Sequence, residues 1–447
     1  MAGLAAIARP SMHSEVNAML DRINHRGRGG RLVVEAGGCT LGLVTPPSQA
    51  QLLEELRASG RAQDGPGHGH RALVEPSDGE LTLTRDELGV APLYVGTLPD
   101  GTRACASEVK ALIPVAGAIE EVPPGHTLRG SSTDRYFVLQ RGEELTEDAG
   151  TVARHLRQEL ERAVRRRIQR TPMGSWLSGG LDSSTLAALA RRELDTLHTF
   201  AAGLEGAPDL DFAREVADFI GSTHHEARVT VPELIEVLPV VIGHLESFDA
   251  LLVRSSVTNY LVARLASEFV GEVFSGEAGD ELFAGYAYLK DLTGSLQNEL
   301  LEITGRLHNT ALQRVDRSAS AHGTVAHTPF TDPEVVALAF RIPAHMKLVQ
   351  GVEKWILREA VHDVLPERVL RRTKAKFWEG AGVGDHLARH AAEVISDGDF
   401  ARERHLAGGW QLNTKEELLY YRLFRDRFGA LEDLGWMGRT KGSPVDG

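Results

Sequence analysis

The chain has 447 residues, 42% hydrophobic and 25% charged, with a formal net charge of -13. That length predicts two or three domains of an ordinary globular protein, and the acidic balance argues against a dedicated nucleic-acid surface. The two cysteines, Cys39 and Cys105, lack metal-ligand spacing, which speaks against a disulfide framework or a zinc site and for a reducing cytoplasm.

The first residues, MAGLAAIARPSMHSE, have no basic start followed by a long apolar stretch, so no secretory signal is expected. No run of about 18 apolar residues marks a membrane span. Residues 1–45 mix short apolar runs with the glycine-rich turns HRGRGG (25–30) and EAGGC (35–39). DGPGHGHR (64–71) reads as a loop. ELTLTRDELGVAPLYVG (80–96) and TRACAS (102–107) alternate as strands do, and Tyr136-Phe137 closes this part. Residues 1–140 are therefore expected to form a small α+β domain.

A helix is predicted at roughly 151–169, with an apolar stripe of Val152, Leu156, Leu160, Val164 and Ile168. Its Arg165-Arg166-Arg167 run reads as a solvated face. From 173 the pattern becomes strand, turn, helix, repeated. MGSWL leads into SSTLAALARREL, LHTFAAGL (197–204) into DLDFAREVADFIGS (209–222), and VFSG (273–276) into a further turn. This alternation predicts a parallel sheet covered by helices. Residues 291–440 carry mostly helical patterns, and GRTKGSPVDG reads as a loose tail.

Two turns carry the chemistry. In SGGLDSS (178–184), Gly179 and Gly180 let backbone N–H groups face an anion. The helix that follows adds orphan N–H groups and roughly half a unit of positive charge. Ser178, Ser183 and Ser184 add hydroxyl donors. Asp182 would repel phosphates unless a cation such as Mg2+ lies between them. A bare S-G-G pair is also a polar turn capping a helix; the full heptad after a strand favours phosphate. The second turn, SGEAGDELFAGY (275–286), sets Glu277 and Asp280 three apart. A second carboxylate beside Asp182 would complete a Mg2+ site, and Glu277 could serve as a base. By spacing alone the pair also reads as an acidic loop capping a helix.

SGGLDSS resembles the pyrophosphate loop of the N-type ATP pyrophosphatases, which predicts AMP and pyrophosphate as products. With SGEAGDELFAGY, TPFTD (328–332), VEKWILREAVHDVLP (352–366) and LRRTKAKFWEGAGVG (370–384), residues 150–436 resemble the synthetase domain of the asparagine synthetase and β-lactam synthetase superfamily. The resemblance implies two domains. One is an N-terminal α+β domain, a degenerate Ntn-hydrolase-like unit. The other is a C-terminal α/β domain, a parallel-sheet ATP pyrophosphatase fold with a helical C-terminal part, followed by a tail at 437–447. It implies ATP and Mg2+, carboxylate activation as an acyl-adenylate, and attack by ammonia or a small amine. A soluble cytoplasmic homo-oligomer, a dimer, is implied with it.

Site roles follow from the same resemblance. Leu177, Ala202, Ser275 and Gly276 match nucleotide contacts, and Ser178, Gly179, Gly180, Asp182, Ser183 and Ser184 the pyrophosphate loop. Asp182 and Asp280 match the Mg2+ carboxylates. Lys374 matches a lysine at the α-phosphate, with Lys376 as a rival. Glu277 matches the glutamate that handles ammonia, where β-lactam synthetases have a tyrosine.

The chain also departs from that pattern. Its N-terminal part resembles a shortened glutaminase domain with Ala2 where the family has its nucleophilic cysteine. Glutamine hydrolysis is therefore expected to be absent. In SFDALLVRSS (247–256), Arg254 matches an arginine associated with aspartate, but Leu251 and Leu252 replace two threonines. Val325 and His327 stand where the family has Glu and Arg. These losses predict an acid other than aspartate, in a tailoring step of secondary metabolism. An ammonia-dependent asparagine synthetase, an intramolecular amide cyclase and a non-catalytic ATP-binding scaffold remain open alternatives.

Overall fold

The computed structural model describes residues 1–168, 172–373 and 380–440. The N-terminal part is α+β, as expected, and holds two antiparallel sheets. One has six strands in the order Gly30–Ala36, Cys39–Thr45, Gly3–Ile7, Arg103–Ala106, Tyr94–Thr97 and Ala118–Glu121. The other has five, in the order Ser132–Arg135, His126–Arg129, Glu80–Arg85, Ala72–Ser77 and Ala62–Asp64. Alternate residues of each strand point inward, so Leu4, Ala6, Leu41 and Leu43 of one sheet share a core with Val74, Leu81 and Leu83 of the other. Cys39 and Cys105 are free thiols buried in that core.

The helix Ala149–Arg167 starts at Asp148, whose side chain accepts the Thr151 N–H at 3.0 Å. Its stripe of Val152, Leu156, Leu160 and Val164 is fully buried. The reading of its arginines as a solvated face needs correction. Arg165 is exposed and pairs with Glu193, but Arg167 is buried and pairs with Asp332 at 2.5 Å. The last turn of the helix runs under the Pro333–Ala339 helix that Asp332 caps.

Five parallel strands form the C-terminal sheet, in the order Thr223–Val229, His198–Leu204, Gly174–Trp176, Glu272–Phe274 and Val325–His327. Helices Leu181–Glu193 and Pro208–Ile220 make the first crossovers, the second ending at Gly221 in the left-handed conformation. The two outer strands escape sequence reading for physical reasons. Thr223–Val229 is a polar edge strand without an apolar run, and Val325–His327 is three residues long. The chain builds outward from Gly174–Trp176 on one side, then returns to build on the other. The strand order therefore reverses between Gly174–Trp176 and Glu272–Phe274, which opens a crevice at their carboxyl ends.

The expected tail at 437–447 is in part fixed. The Thr440 hydroxyl donates to Asp249 at 2.8 Å, and Arg439 pairs with Glu417 at 2.5 Å. Gly438 lies so close to Asn309 that a Cβ there would overlap it. Residues 441–447 lie outside the described residues. No helix among the described residues is long and apolar enough to cross a membrane.

Candidate active site

The crevice at the strand reversal holds both turns. Gly174–Trp176 runs through Leu177 into Ser178–Gly180 and then into the helix Leu181–Glu193. Gly179 has φ +67°, and a Cβ there would overlap Phe212. Glycine lets this turn fold tightly against the Pro208–Ile220 helix. Ser183 closes the loop: its Oγ accepts the Ser178 N–H at 3.2 Å and donates to the Gly180 carbonyl at 3.2 Å. Arg372 donates to the Ser178 carbonyl at 3.2 Å and lies 4.1 Å over the Phe212 ring.

The adjacent strand, Glu272–Phe274, enters the second turn, where the Ser275 N–H is held by the His327 carbonyl at 2.8 Å. Ala278 and Ala284 in this turn have φ of +75° and +61°, and Lys354 beside it has +54°. Non-glycine residues in the left-handed region each carry a cost of about 1–3 kcal/mol, and such strain concentrates at functional sites. Ala278 and Ala284 flank Asp280 in the chain, and Lys354 pairs with both Asp182 and Asp280. The Lys354 ammonium is 2.5 Å from each of these carboxylates, and all three side chains are nearly buried.

Asp182 and Asp280 thus share the Lys354 cation among the described residues. A Cβ at Gly279 would come 2.5 Å from the Asp182 carboxyl, and one at Gly285 would overlap Asp280. Glycine leaves the space that the two carboxylates fill. The donor set, two nearly buried carboxylates beside a helix N-terminus, fits a hard divalent cation such as Mg2+.

Glu277 is 2.7 Å from Arg314. Next to Asp280, Glu281 accepts a hydrogen bond from the Tyr286 hydroxyl. Burial, then the Asp280 charge, pushes the Glu281 carboxyl up to about 7.

A cavity of about 680 Å³ opens here, within the range of small-ligand sites. Of the residues singled out from sequence, Leu177, Ser178, Gly180, Asp182, Ser183 and Ala202 line it. So do Leu251, Leu252, Ser275, Gly276, Glu277 and Asp280. Gly179 and Ser184 do not: the first packs on Phe212, and the second is fully buried, with no partner for its hydroxyl among the described residues.

Three expected substrate contacts also lie off the cavity wall. Arg254 instead forms a two-pronged pair with Glu416, at 2.7 and 3.0 Å from its Nε. The helix beginning at Lys415 supplies that partner, 162 residues away, so local sequence could not reveal it. Val325 is buried in the N-terminal core, and His327 is buried against Glu272 at 2.7 Å. Lys374 and Lys376 lie outside the described residues.

Sequence reasoning missed Lys354, Glu281, Tyr286 and Arg314. Lys354 and Glu281 stand inside the quoted blocks VEKWILREAVHDVLP and SGEAGDELFAGY, and a search for cations near the acidic turn could have found Lys354. Arg314 has no local signal, because only the packing of its helix brings it to Glu277. A separate cluster of His68, Asp332 and Glu334 has metal-like spacing. Arg166 and Arg167 already engage its carboxylates, at 3.0 Å from Glu334 and 2.5 Å from Asp332.

A five-stranded parallel sheet whose strand-to-helix turns meet at the order reversal is a doubly wound α/β framework, which seats its ligand in the crevice outside the strand ends. The asparagine synthase family model matches residues 155–304 and 293–441, and the chain belongs to that family. It is 36% identical over 382 residues to asparagine synthetase [glutamine-hydrolyzing] 2 of Lotus japonicus, covering 80% of this chain and 65% of that protein. It is 36% identical over 396 residues to a probable asparagine synthetase [glutamine-hydrolyzing] of Schizosaccharomyces pombe, covering 80% of this chain and 71% of that one. The chain thus spans about two thirds of the length of these relatives. Among solved structures, NMN synthetase from Francisella tularensis is similar at 13% identity and a TM-score of 0.30, covering 66% of this chain and 99% of that one, too slight a likeness to carry an argument.

Proposed function

We propose that the protein is an ATP-dependent amide ligase that activates a carboxylic acid and passes its acyl group to ammonia or a small amine, without hydrolysing glutamine. The observation that carries this reading is the convergence of Asp182 and Asp280 on the Lys354 cation, beside the Ser178–Gly180 turn and the N-terminus of its helix. Mg2+ held by these carboxylates would draw the phosphates of ATP into a site otherwise negative. Leu177, Ala202, Ser275 and Gly276 would receive the nucleoside. The turn's backbone and Ser183 would receive the pyrophosphate end.

The chemistry balances in two steps. A carboxylate oxygen attacks the α-phosphorus, the bond to the β-phosphate oxygen breaks, and pyrophosphate leaves. The amine nitrogen then attacks the acyl carbon, and AMP leaves with the electrons of the C–O bond. The proton lost by nitrogen passes to Glu277 or to water. Lys354 and, by family resemblance, Lys374 would counter the charge that grows on the α-phosphoryl oxygens.

Independence from glutamine rests on the thiols of this chain. Position 2 is alanine, and both cysteines are buried. Burial pushes the Cys39 thiol up to about 11 and raises that of Cys105, so neither is poised as a nucleophile.

Calorimetric titration with ATP and Mg2+ tests the site. The wild-type protein is expected to bind Mg-ATP, and Asp182→Asn to weaken that binding at least about tenfold. Equal binding by Asp182→Asn would remove the basis of the proposal.

A further inference from the structure

The cavity extends beyond the nucleotide wall into an end built by three segments. Glu277 reaches Arg314 at 2.7 Å, which draws the start of the Ala311–Ser320 helix and the residues before it across the cavity from the second turn. The first turn of the Ala250–Ala266 helix forms another side, and Thr440, tied to the Asp249 cap at 2.8 Å, forms a third.

The surface these segments present combines hydrocarbon with polar groups that are already engaged, among them the Thr310 hydroxyl, which donates to the Arg306 carbonyl at 2.9 Å. Leu251 and Leu252 come from one helix, and Ile303, Leu307 and Ala311 from the other side. Ser255 also lines the cavity, but its hydroxyl donates to the Leu251 carbonyl at 2.8 Å. Both arginines here are engaged among the described residues. Arg314 is held by Glu277, and Arg306 stands at the exposed rim, donating to the Arg439 carbonyl at 3.2 Å. Arg254, matched to an arginine associated with aspartate, is engaged by Glu416. A dianionic acid would thus bring a second charge to a wall rich in leucine, isoleucine and alanine, where no cation among the described residues is left unengaged to repay its lost hydration.

Resting on the ligase reading above, we propose that the acid activated here is a monocarboxylate with an apolar body, seated against Leu251, Leu252, Ile303, Leu307 and Ala311. Its carboxyl group points towards Asp182, Asp280 and Glu277. These five side chains set the specificity for the acid, and the nucleotide wall is shared with any relative that uses ATP.

Pyrophosphate exchange into ATP tests this, with hexanoate, benzoate and 3-phenylpropionate set against aspartate and glutamate. Mg-ATP binding is measured first. The expected result is Mg-ATP binding, with kcat/KM for at least one apolar acid exceeding that for aspartate by about tenfold or more. Ala311→Phe, which fills the pocket, is expected to raise KM for that acid by about tenfold while leaving KM for ATP within about twofold. Should Ala311→Phe fail to fold, Leu307→Ala, which enlarges the pocket, is expected to shift the preference from hexanoate towards octanoate. Mg-ATP binding with aspartate as the best substrate, or with no apolar acid supporting exchange, would overturn the inference and leave the ligase reading standing. So would an unchanged acid KM in Ala311→Phe. Absence of Mg-ATP binding would overturn the ligase reading itself, and this inference with it.

Discussion

Lys354 holds the position where two carboxylates meet, and its backbone is strained into place at φ +54°. Its ammonium neutralises Asp182 and Asp280 when no ligand does so. Removing the cation by Lys354→Met leaves their mutual repulsion less balanced, with an expected loss of about 1–3 kcal/mol of stability. Added Mg2+ should recover most of that loss in thermal melts, because it serves the same two carboxylates. A variant whose melting temperature does not respond to Mg2+ would count against the cation site.

Lys347 is a different case. It is fully buried over the Phe340 ring at 5.3 Å, with its Nζ 3.4 Å from Gln297 Oε1. Burial pushes it down to about 7. An unfolded lysine titrates near 10.4, so between about pH 7 and pH 10 the unfolded chain holds a proton the folded chain has released. Stability therefore rises with pH across that window, and the full cost of the buried lysine is borne below it. Lys347→Met should stabilise the protein by about 2 kcal/mol or more at pH 6–7, with the gain shrinking towards pH 10. Denaturant titrations at several pH values measure this, and a gain independent of pH would refute the assignment.

At the scale of elements, the Ser178–Gly180 turn depends on Gly179. Gly179→Ala would place a methyl group in the Phe212 backbone region and hold it at an unfavourable φ of +67°. The expected cost is about 1–3 kcal/mol, with the turn displaced and affinity for ATP reduced. Mg-ATP titration of the folded variant checks this, and wild-type affinity would show that the turn tolerates the Cβ.

This turn was legible in sequence because its signal is local: a strand, two glycines, a polar cap and an alanine-rich helix within 20 residues. So was the parallel sheet, from the strand-helix alternation between Gly174 and Ile220. The acid-binding end was not legible in the same way. Arg254 carries the same local sequence whether it faces a substrate or Glu416, and only the packing of the Lys415–Phe428 helix decides between them. Val325 and His327 likewise fall in a three-residue strand whose burial comes from the N-terminal core and Glu272. Pairings across 55 to 162 residues leave no periodic trace along the chain.

Across the whole molecule, the two parts are joined by buried charge. Arg26, with no exposure, pairs with Glu108 in its own domain and with Asp316 in the C-terminal domain, and donates to the Ala2 carbonyl at 3.0 Å. Asp316 lies two residues from Arg314 in one helix, so the N-terminal domain steadies the helix that lines the acid end of the cavity. Arg26→Met would strand buried carboxylates, at an expected cost of about 3–5 kcal/mol. It should raise KM for the acid more than KM for ATP, and equal effects on both would argue for a global loss of structure instead.

The nucleotide product and the source of nitrogen distinguish a glutamine-independent adenylating ligase from other uses of ATP. The direct measurement is chromatography of the nucleotides from an acid-dependent turnover, with the amide analysed by mass spectrometry after supply of isotopically labelled ammonium or amide-labelled glutamine. The account predicts AMP and pyrophosphate in equal amounts with the amide, carrying label from ammonium and none from glutamine. Formation of ADP, or label taken from glutamine, would contradict it.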